Sequence, residues 1–439
     1  MANRSARWRA VVAAVAAVLA FPAVACESGD SGPPDLSGEV IEVVAVWQDA
    51  EAAAFRQVLD AFEARTGAAV ELTSTAGRDI AAVLDARIAG GDPPDVAVLP
   101  QPGLLARYAR EGAIHPLGAE LSAAVRDRYG TPWRRLATVA GDLYGVWYKA
   151  ANKSLIWYSL GAFERAGVVP PDDLDRLGDV ADALAASGTP PFAVAAAPEE
   201  AWVLTDLFEN LYLRVAGPQR YDALAERRLP WTDQSVRATL SLFADLFAPA
   251  NLAGGLDGAL AWQLPDAAAA VFSPEPAAAM VVEGDFVPGR VPAGTGARLG
   301  VDVDVAPFPE RQAGGRGVVG GGDAAVLMRP GTAAEELLRF LATAEAGEIW
   351  AAQGGFLSPN EDVELRAYPD DRTRDIARAL LDAGDGFRFD LSDLQPAEFG
   401  ASTDRGMWGI LRDFLADPSD VAGTVERLEA AAAAAWEAA

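Results

Sequence analysis

Strand-like and helical segments alternate along the first hundred residues, and this order limits the fold more than any other feature of the chain. The apolar run 40–47 is typical of a buried strand, and residues 55–62 carry apolar side chains at the three- and four-residue spacing of a helix face. Residues 70–73 and 95–99 again have the pattern of short strands, with a second helical segment at 80–88 between them. Strand, helix, strand, helix, strand at this spacing predicts a mostly parallel sheet covered by helices.

The N-terminal residues have the composition of an export signal. Arg4, Arg7 and Arg9 precede the apolar run 10–20, which is too short to cross a bilayer as a permanent helix. Small residues follow, and then Cys26, the only cysteine in the sequence. This order resembles a bacterial lipoprotein signal, so we expect cleavage just before this cysteine and lipidation of its thiol. The alternative is an ordinary secreted protein with a free thiol.

Charge and composition exclude several classes of function. The chain has a formal net charge of −27, and removal of the signal, which contains three arginines and no acid, changes this charge to −30. Nucleic acid and anionic lipid headgroups need clustered Lys and Arg, so neither is expected as a partner. One histidine, His115, and one cysteine leave no zinc site of nitrogen and sulfur ligands, and we expect neither a metal nor a cofactor.

The length of the chain favours two lobes of about 200 residues each, because 439 residues are too many for one compact core. After the signal peptide 1–25, the polar residues 26–39 are expected to form a flexible tether. The glycines at 314–322 are expected to form the most flexible internal stretch, and the strand pattern at 324–328 predicts a return to the first lobe. We assign 40–148 plus 315–360 to an N-terminal lobe and 149–314 plus 361–439 to a C-terminal lobe.

Five segments share their order and spacing with one known family. They are residues 92–103, 144–158, 320–323, 351–360 and 387–394, which together extend over nearly the whole mature chain. These segments resemble the extracellular solute-binding proteins of carbohydrate ABC transporters, of the maltose-binding type, and most closely the branch that binds α-glucosides. The resemblance implies an α/β periplasmic-binding-protein fold of type II, in which two lobes close over a ligand in the cleft between them.

The resemblance also implies a function in transport. It predicts a lipid-anchored monomer on the extracytoplasmic face of the membrane that binds a di- or oligosaccharide, an α-glucoside, by hinge closure and delivers it to the permease subunits of an ABC importer. Conversion of the sugar is not expected. Two alternatives stay open at this point: a cell-surface glycoside hydrolase, for which Asp302 and Asp304 on one strand face are possible acids, and a sugar sensor that docks on a membrane receptor.

A site for sugar combines aromatic rings, which cover the apolar face of the ring, with carboxylate, amide and guanidinium groups for the hydroxyls. In open α/β sheets such residues lie beside strand ends. We expect Trp147 and Tyr148 to pack at the hinge, prefer Trp202 slightly over Trp231 as a stacking ring, and interpret Arg78 as either a sugar contact or a solvated side chain. The candidates are Trp47, Glu51, Arg78, Gln101, Lys149, Asn152, Trp157, Trp202, Glu283, Asp285, Gly322, Asp323, Arg388 and Trp408.

Several of these candidates have a structural interpretation that competes with the functional one. Trp47 is equally well explained as a core residue, and residues 283–285 as a plain turn. Asp323 is the sharper prediction, because the glycines before it leave backbone N–H groups uncovered beside a carboxylate, although the same glycines also suit a hinge. For Arg388 the plainer interpretation is a surface ion pair with Asp390.

Overall fold

A computed structural model describes residues 34–75, 79–311, 315 and 317–438 of the chain. The expected signal peptide 1–25, Cys26, residues 27–33 of the expected tether and the candidate Arg78 therefore lie outside the described residues. The chain from Asp35 onward forms one compact unit. None of the helices in the described part of the chain combines the length and the hydropathy needed to cross a membrane.

The strands alternate with helices in the first part of the chain, as the sequence predicts. Because short apolar runs rich in Val and Leu form them, most are buried on both faces. The strands are β1 Val40–Ala45, β2 Ala69–Ser74, β3 Val96–Leu99, β4 Thr138–Val139, β5 Asp142–Leu143, β6 Gly145–Asn152, β7 Leu155–Ser159, β8 Met280–Val282, β9 Val303–Pro307, β10 Val318–Leu327 and β11 Phe387–Phe389.

The helices cover the sheet in the first part of the chain and dominate between residues 160 and 290. The first of them ends at Gly67, whose φ of 78° is the left-handed conformation expected of a glycine stop. The helices are α1 Asp49–Thr66, α2 Ile80–Ala89, α3 Pro102–Glu111, α4 Ala119–Arg128, α5 Thr131–Leu136, α6 Leu160–Ala166, α7 Leu177–Ala186, α8 Trp202–Ala216, α9 Pro218–Ala225, α10 Gln234–Leu246, α11 Gly255–Ala261, α12 Leu264–Val271, α13 Val287–Arg290, α14 Thr332–Leu341, α15 Ala344–Ala351, α16 Asp371–Asp382, α17 Ala397–Gly400, α18 Met407–Ala416 and α19 Val421–Ala438.

Two sheets form the framework of the molecule. The larger sheet has six strands in the order β11-β10-β3-β1-β2, with β6 also paired to β10. Strand β1 runs parallel to β2 and β3, whereas β10 is antiparallel to β3 and β6. The smaller sheet is antiparallel, with β7 between β8 and β9. Because β6 belongs to the large sheet and β7 to the small one, the chain passes from one sheet to the other at residues 153–154.

The buried apolar side chains form two clusters, as a two-lobed fold requires. One is centred on the six-stranded sheet and the helices packed on it, including α1, α14 and α15. The other is built mainly from α7, α8, α10, α18 and α19. Phe387 and Phe389 of β11, and Ile376 of α16, pack in the first cluster. The lobe boundaries inferred from the sequence stay a prediction.

The glycine-rich segment 320–322 differs from its sequence-based interpretation as a flexible stretch. It lies within strand β10, where Gly320 pairs with Asn152 and Gly322 pairs with Ala150. A Cβ atom on Gly322 would lie 2.7 Å from the carbonyl oxygen of Lys149. The glycine therefore permits a close approach of two strands, which is a structural reason for its place in a strand interior.

Helix α8 carries polar groups into the interior. Every residue from Val203 to Arg214 is buried. Among them, Thr205, Asp206, Glu209 and Asn210 recur at the spacing of one helix face. Buried polar side chains need partners, so this face fixes the position of the segments against which it packs.

Candidate functional site

Two lysines four positions apart bring together the polar residues at the crossing between the sheets. Lys149 lies in β6, and Lys153 lies in the turn between β6 and β7. Each forms ion pairs with carboxylates from other parts of the chain. We refer to Trp47, Glu51, Lys149, Asp285 and Asp323 as the Lys149 group, and to Lys153, Asp206, Glu283, Asp390 and Asp393 as the Lys153 group.

In the Lys149 group, one ammonium serves several carboxylates. Lys149 Nζ is ion-paired with Glu51, in the first turn of α1, and its side chain is only 10% exposed. Burial alone would lower the pKa of Lys149, but Glu51 and Asp323 raise it, so the ammonium stays charged. Asp285 also lies within the field of this charge.

Trp47 holds the carboxylate of Asp323 in place. Its Nε1 donates to Asp323 Oδ2 at 2.8 Å. The indole itself is 2% exposed and packs edge-on against Phe55 and Trp350, with centroid distances of 4.6 and 4.8 Å. Trp47 is thus a core residue, which was one of the two interpretations of the sequence. It also makes a polar contact with Asp323, the sharper of the predicted sugar contacts. Burial raises the pKa of Asp323 to about 6, although Lys149 and Trp47 oppose this rise.

In the Lys153 group, the ammonium is almost enclosed by protein. Lys153 Nζ lies 3.0 Å from Asp206 Oδ1 and 2.5 Å from Asp390 Oδ2, and these two carboxylates are 2% and 3% exposed. The same ammonium lies 5.4 Å from the ring centroid of Trp202, a cation–π distance. Because Lys153 sits in the turn between the sheets, this group joins the crossing to α8 and to the segment after β11.

The segment after β11 is pinned by hydrogen bonds. Glu209 accepts from the backbone N–H groups of Leu391 and Ser392 at 2.7 and 3.0 Å. Asp390 Oδ1 accepts from the N–H groups of Ser392 and Asp393 at 2.9 and 3.2 Å. Burial alone would raise the pKa of Asp390, but Lys153 and side-chain hydrogen bonds with Asp206 and Ser392 hold it below its usual range. Asp390 is therefore the fixed negative partner of Lys153.

Other carboxyl groups of the site have raised pKa values. Burial raises the pKa of Glu283 to about 7. Burial and the neighbouring charge of Asp390 raise the pKa of Asp393 to about 7. Burial raises the pKa of Asp285 to about 6, against the opposing effect of Lys149. Near neutral pH the site therefore contains carboxyl groups close to their titration points, and small changes of environment alter their protonation.

Polar contacts connect the two groups. Gln101, which follows β3 and precedes α3, donates from Nε2 to Asp393 Oδ1 at 3.2 Å. Asp285 Oδ1 accepts from the backbone N–H of Asn152 at 2.7 Å. Asp323 contributes to the raised pKa of Asp393. The two groups therefore form one continuous polar site at the ends of β3, β6, β8 and β11.

An aromatic corner borders the Lys153 group. Trp202, at the start of α8, is half-buried, and its ring centroid lies 6.1 Å from that of Phe286. Trp202 Nε1 donates to Glu200 Oε2 at 2.8 Å. The ring of Phe286 folds over Gly284, where a Cβ atom would lie 2.4 Å from a ring carbon. This corner offers the partly open aromatic surface that an apolar ring face can cover.

Comparison with known proteins decides the family. The model of the family described as bacterial extracellular solute-binding protein matches residues 47–348. The chain belongs to this family. It is 32% identical to the osmoprotective compounds-binding protein GgtB of Synechocystis sp. over 381 residues. This alignment covers 84% of this chain and 88% of that protein. It is also 32% identical over 409 residues to the alpha-glucosides-binding periplasmic protein AglE of Rhizobium meliloti. This alignment covers 90% of this chain and 87% of that protein.

A solved structure confirms the fold. A chitin oligosaccharide binding protein superposes with a TM-score of 0.74 at 18% identity, over 90% of this chain and 98% of that one. The two-lobed α/β fold of the maltose-binding type, predicted from the sequence, is thus confirmed. Membership of an extracellular solute-binding family also implies an extracytoplasmic location, and the members of this family are binding proteins.

Within this solute-binding fold, two predicted aromatic contacts are buried. Trp157 is 2% exposed, donates from Nε1 to the carbonyl oxygen of Gly284 at 3.0 Å and packs against Phe272. Trp231, the alternative to Trp202, is fully buried between Phe208 and Phe399. Neither ring is open to a ligand in this conformation, so both take packing positions.

Arg388 and Trp408 lie apart from the two lysine groups. Arg388 forms its ion pair with Asp222, at 2.7 Å, and not with Asp390 as the plainer sequence interpretation has it. The reason is that Asp390 is already taken by Lys153. Trp408 is half-buried against the second apolar cluster, and its Nε1 has no hydrogen-bond partner among the described residues.

Sequence reasoning missed several residues that the structure brings together. They include Lys153, Asp206 and Asp390. A signal for Asp206 was present, because polar residues at helix spacing interrupt the otherwise apolar helix α8. Asp390 lies in the segment 387–394 that carried the family resemblance, but only the arginine there was selected. Phe286 follows directly after the selected residues 283–285.

The acidic oxygens of the site also raise the question of a metal ion. Oxygen atoms of Asp206, Glu209 and Asp390 lie within 4.8 Å of one another. However, Lys153 Nζ already contacts two of these three carboxylates. A charged ammonium in this place supplies the positive charge that a metal ion would bring, and it competes with one for the same oxygens.

Proposed function

We propose that this protein is the lipid-anchored substrate-binding subunit of an ABC importer, and that it captures an α-glucoside of two or more sugar units. The name of the relative AglE, which is similar over 90% of this chain, supports the ligand class. Lipidation at Cys26, action as a monomer, hinge closure and delivery of the unaltered sugar to the permease are parts of the same proposal. A sensor that docks on a membrane receptor would use the same site.

The observation that carries the proposal is the set of carboxyl groups beside the aromatic corner. Asp285, Asp323 and Asp393 are only partly buried, and the hydrogen bonds described above engage one oxygen of each. Their second oxygens are available to accept hydrogen bonds from ligand hydroxyls. Trp202 supplies an adjacent surface for the apolar face of a sugar ring. Hydroxyl-rich, uncharged ligands match this combination.

The crossing between the sheets supports closure as the mechanism. Lys153 lies at the β6–β7 turn and is paired with Asp390, which follows β11 of the large sheet. Gln101 and Asp393 make a direct contact beside it. A ligand that bridges both sides adds contacts only in the closed arrangement, and it therefore shifts the population toward that arrangement.

The acids considered for a hydrolase are engaged elsewhere. Asp304 accepts from Arg372 Nε and Nη2 at 2.6 and 3.0 Å, and this side-chain hydrogen bonding lowers its pKa. Hydrogen bonds from the backbone and side chain of Arg298 lower the pKa of Asp302. A glycosidase needs one carboxyl whose pKa is raised so that it can act as an acid. The binding function is therefore favoured over hydrolysis by this pair.

Calorimetric and thermal-shift titration with maltose, trehalose and sucrose tests the proposal. Cellobiose, the β-linked counterpart of maltose, is the matched control. We expect at least one α-glucoside to raise the melting temperature, because a ligand that binds only the folded state stabilises it. Chromatography of the same mixtures should show the sugar unchanged. Absence of any shift at about 1 mM of each α-glucoside contradicts the ligand class, and release of product contradicts a pure binding role.

Asp323→Ala is the first mutation to test. We expect it to weaken binding of the matching α-glucoside by about 1 to 3 kcal/mol, because sugar hydroxyls lose a charged acceptor. Asp304→Ala, which removes a carboxylate bound to Arg372 away from the two lysine groups, is the control. Equal affinities of the wild type and Asp323→Ala would remove this residue from the site.

A further inference from the structure

Two carboxyl oxygens in the Lys153 group are buried without a hydrogen-bond partner among the described residues. They are Asp206 Oδ2 and Glu283 Oε1. The two residues are 1% and 0% exposed. The opposite oxygen of each is satisfied, because Asp206 Oδ1 accepts from Lys153 Nζ at 3.0 Å and Glu283 Oε2 accepts from the N–H of Gly284 at 3.0 Å. Unpaired charged oxygens at such depth are costly.

Asp206 is a hydrogen-bonding neighbour of both Glu283 and Asp390, and of these two only Glu283 has an oxygen left without a partner among the described residues. If Asp206 and Glu283 were both ionised, two negative charges would touch in a region that water does not reach. A single proton removes this repulsion and gives each unpaired oxygen a partner, one as donor and the other as acceptor. The single positive charge of Lys153 cannot neutralise both carboxylates, because Lys153 is also bound to Asp390.

The surroundings contain more acid than base. The ionisable groups that face the pair are Lys153 from the β6–β7 turn, Asp390 from the segment after β11, Glu209 from α8 and Tyr221 from α9. Glu209 accepts backbone N–H groups, and Asp390 is held by Lys153 together with backbone donors. Lys153 is therefore shared between Asp206 and Asp390, and Glu283 has no ion pair among the described residues.

We propose that Asp206 and Glu283 share one proton, with Asp206 Oδ2–H donating to Glu283 Oε1, and that this bond positions the ligand site. It ties α8, which begins with Trp202, to the segment after β8 that carries Asp285 and Phe286. The pair does not touch the ligand. Its effect on binding rests on the proposed sugar-binding function, whereas the shared proton itself does not.

The electrostatic environment agrees with this assignment. Burial raises the pKa of Asp206 well above its ordinary value, and burial raises the pKa of Glu283 to about 7. Removal of the proton would leave two adjacent carboxylates that repel each other and compete for Lys153. The segment 283–285 would then be pushed away from α8, and the aromatic corner would lose its geometry. Ligand affinity should therefore fall as the pH rises above neutrality.

Amide substitutions test the shared proton. In Asp206→Asn, the side-chain carbonyl can still accept from Lys153, and the NH₂ group can donate to Glu283 Oε1. In Glu283→Gln, the NH₂ group can donate to Asp206 Oδ2. Each single variant thus keeps the bond but has no proton to lose. We expect wild-type affinity for the matching α-glucoside to fall about tenfold between about pH 6 and about pH 9, and the profile of Asp206→Asn to flatten by that amount.

Two further variants separate this role from simple packing. Asp206→Ala should bind at least about tenfold more weakly than Asp206→Asn at about pH 6, because only the amide can restore the bond. The double variant that combines Asp206→Asn with Glu283→Gln places two NH₂ groups opposite each other, and it should bind more weakly than either single variant. Additive effects of the two amides, or a flat wild-type profile, would overturn the positioning role.

Infrared spectroscopy of the ligand-free protein tests the proton without any sugar. At about pH 6, the wild type should show the carbonyl stretch of a protonated carboxylic acid from this pair, and both single amide variants should lose this contribution. Asp393→Asn, which removes a neighbouring carboxyl with a raised pKa but leaves the pair intact, should keep it. If the wild type lacks the band, or if added calcium chloride stabilises the protein while the band stays absent, the shared proton is wrong even where sugar binds.

Discussion

Lys149 and Lys153 are about equally buried, but the carboxylates paired with them differ in their exposure to solvent. The side chains of Lys149 and Lys153 are 10% and 12% exposed. However, Glu51, the partner of Lys149, is 35% exposed, whereas Asp206 and Asp390, the partners of Lys153, are 2% and 3% exposed. The first ion pair can exchange its contacts for water or ligand hydroxyls. The carboxylates of the second are closed off from water by protein, and this pair acts as a fixed joint at the crossing between the sheets.

Removal of each ammonium in turn should give the largest difference in stability between the two groups. Lys153→Met leaves two carboxylates buried without their cation, so we expect the free energy of unfolding to fall by about 3 to 5 kcal/mol. Lys149→Met should lower it by only about 1 kcal/mol, because water can reach Glu51. Urea denaturation at about pH 7, followed by circular dichroism, measures both values.

Equal losses for the two variants would contradict the distinction between a fixed joint and an exchangeable pair. Because Lys153→Met could fail to fold, Lys153→Arg is a second test. It keeps the charge, and it should recover a large part of the stability if charge neutralisation is what matters.

Two aspartates three positions apart in the Lys153 group should respond to pH in opposite directions. The pKa of Asp390 is lowered, so its ionised form favours folding, and Asp390→Asn should cost about 2 to 3 kcal/mol at any pH above about 4. The pKa of Asp393 is raised to about 7, so its protonated form favours folding. Its contribution is fully present below about pH 4 and is lost as the pH rises through about 7.

Asp393→Asn should therefore match the wild type at about pH 4 and exceed its stability by about 1 to 2 kcal/mol at about pH 8. Urea denaturation at these two pH values gives the comparison. A wild type that is more stable than Asp393→Asn at the higher pH would show that this carboxyl is solvated rather than shifted by burial and by Asp390.

The smallest expected effect concerns the backbone of β10 beside Lys149. Gly322→Ala places a Cβ atom 2.7 Å from the carbonyl oxygen of Lys149, so β10 and β6 must separate. We expect a loss of about 1 to 2 kcal/mol in the free energy of unfolding. At the neighbouring Gly321 a Cβ atom would meet only Lys153 Cε at 3.5 Å, which is an ordinary contact, so Gly321→Ala is the matched control. Similar stabilities of the two variants would favour a flexible glycine segment.

The first elements of the fold follow directly from the sequence. The buried strand at 40–47, the helix face at 55–62 and the glycine stop after it depend on neighbouring residues, and the structure confirms them as β1, α1 and Gly67. Such local patterns carry their own information, because the side-chain periods of strand and helix differ.

The core of the site does not follow from sequence spacing. Lys153 and Asp390 are 237 positions apart, and Lys153 and Asp206 are 53 positions apart. No local period links such residues, and only the fold brings them together. The glycines at 320–322 were interpreted as flexible for a related reason, since the sequence shows the missing side chains but not the neighbouring strand that requires their absence. The choice of Trp202 over Trp231 depended on position alone, and the sugar contacts themselves stay a prediction.

The half-buried ring of Trp202 has a practical consequence for measurement. Its indole lies at the border of the site, beside a charged ammonium, whereas Trp147, Trp157 and Trp231 are at most 2% exposed. Trp47 is equally buried, but its Nε1 donates to Asp323. Indole emission shifts with the polarity and charge around the ring. A change of intrinsic fluorescence on ligand addition should thus arise from Trp202 and from Trp47 through its bond to Asp323, and the native chain carries its own optical probe of cleft occupancy.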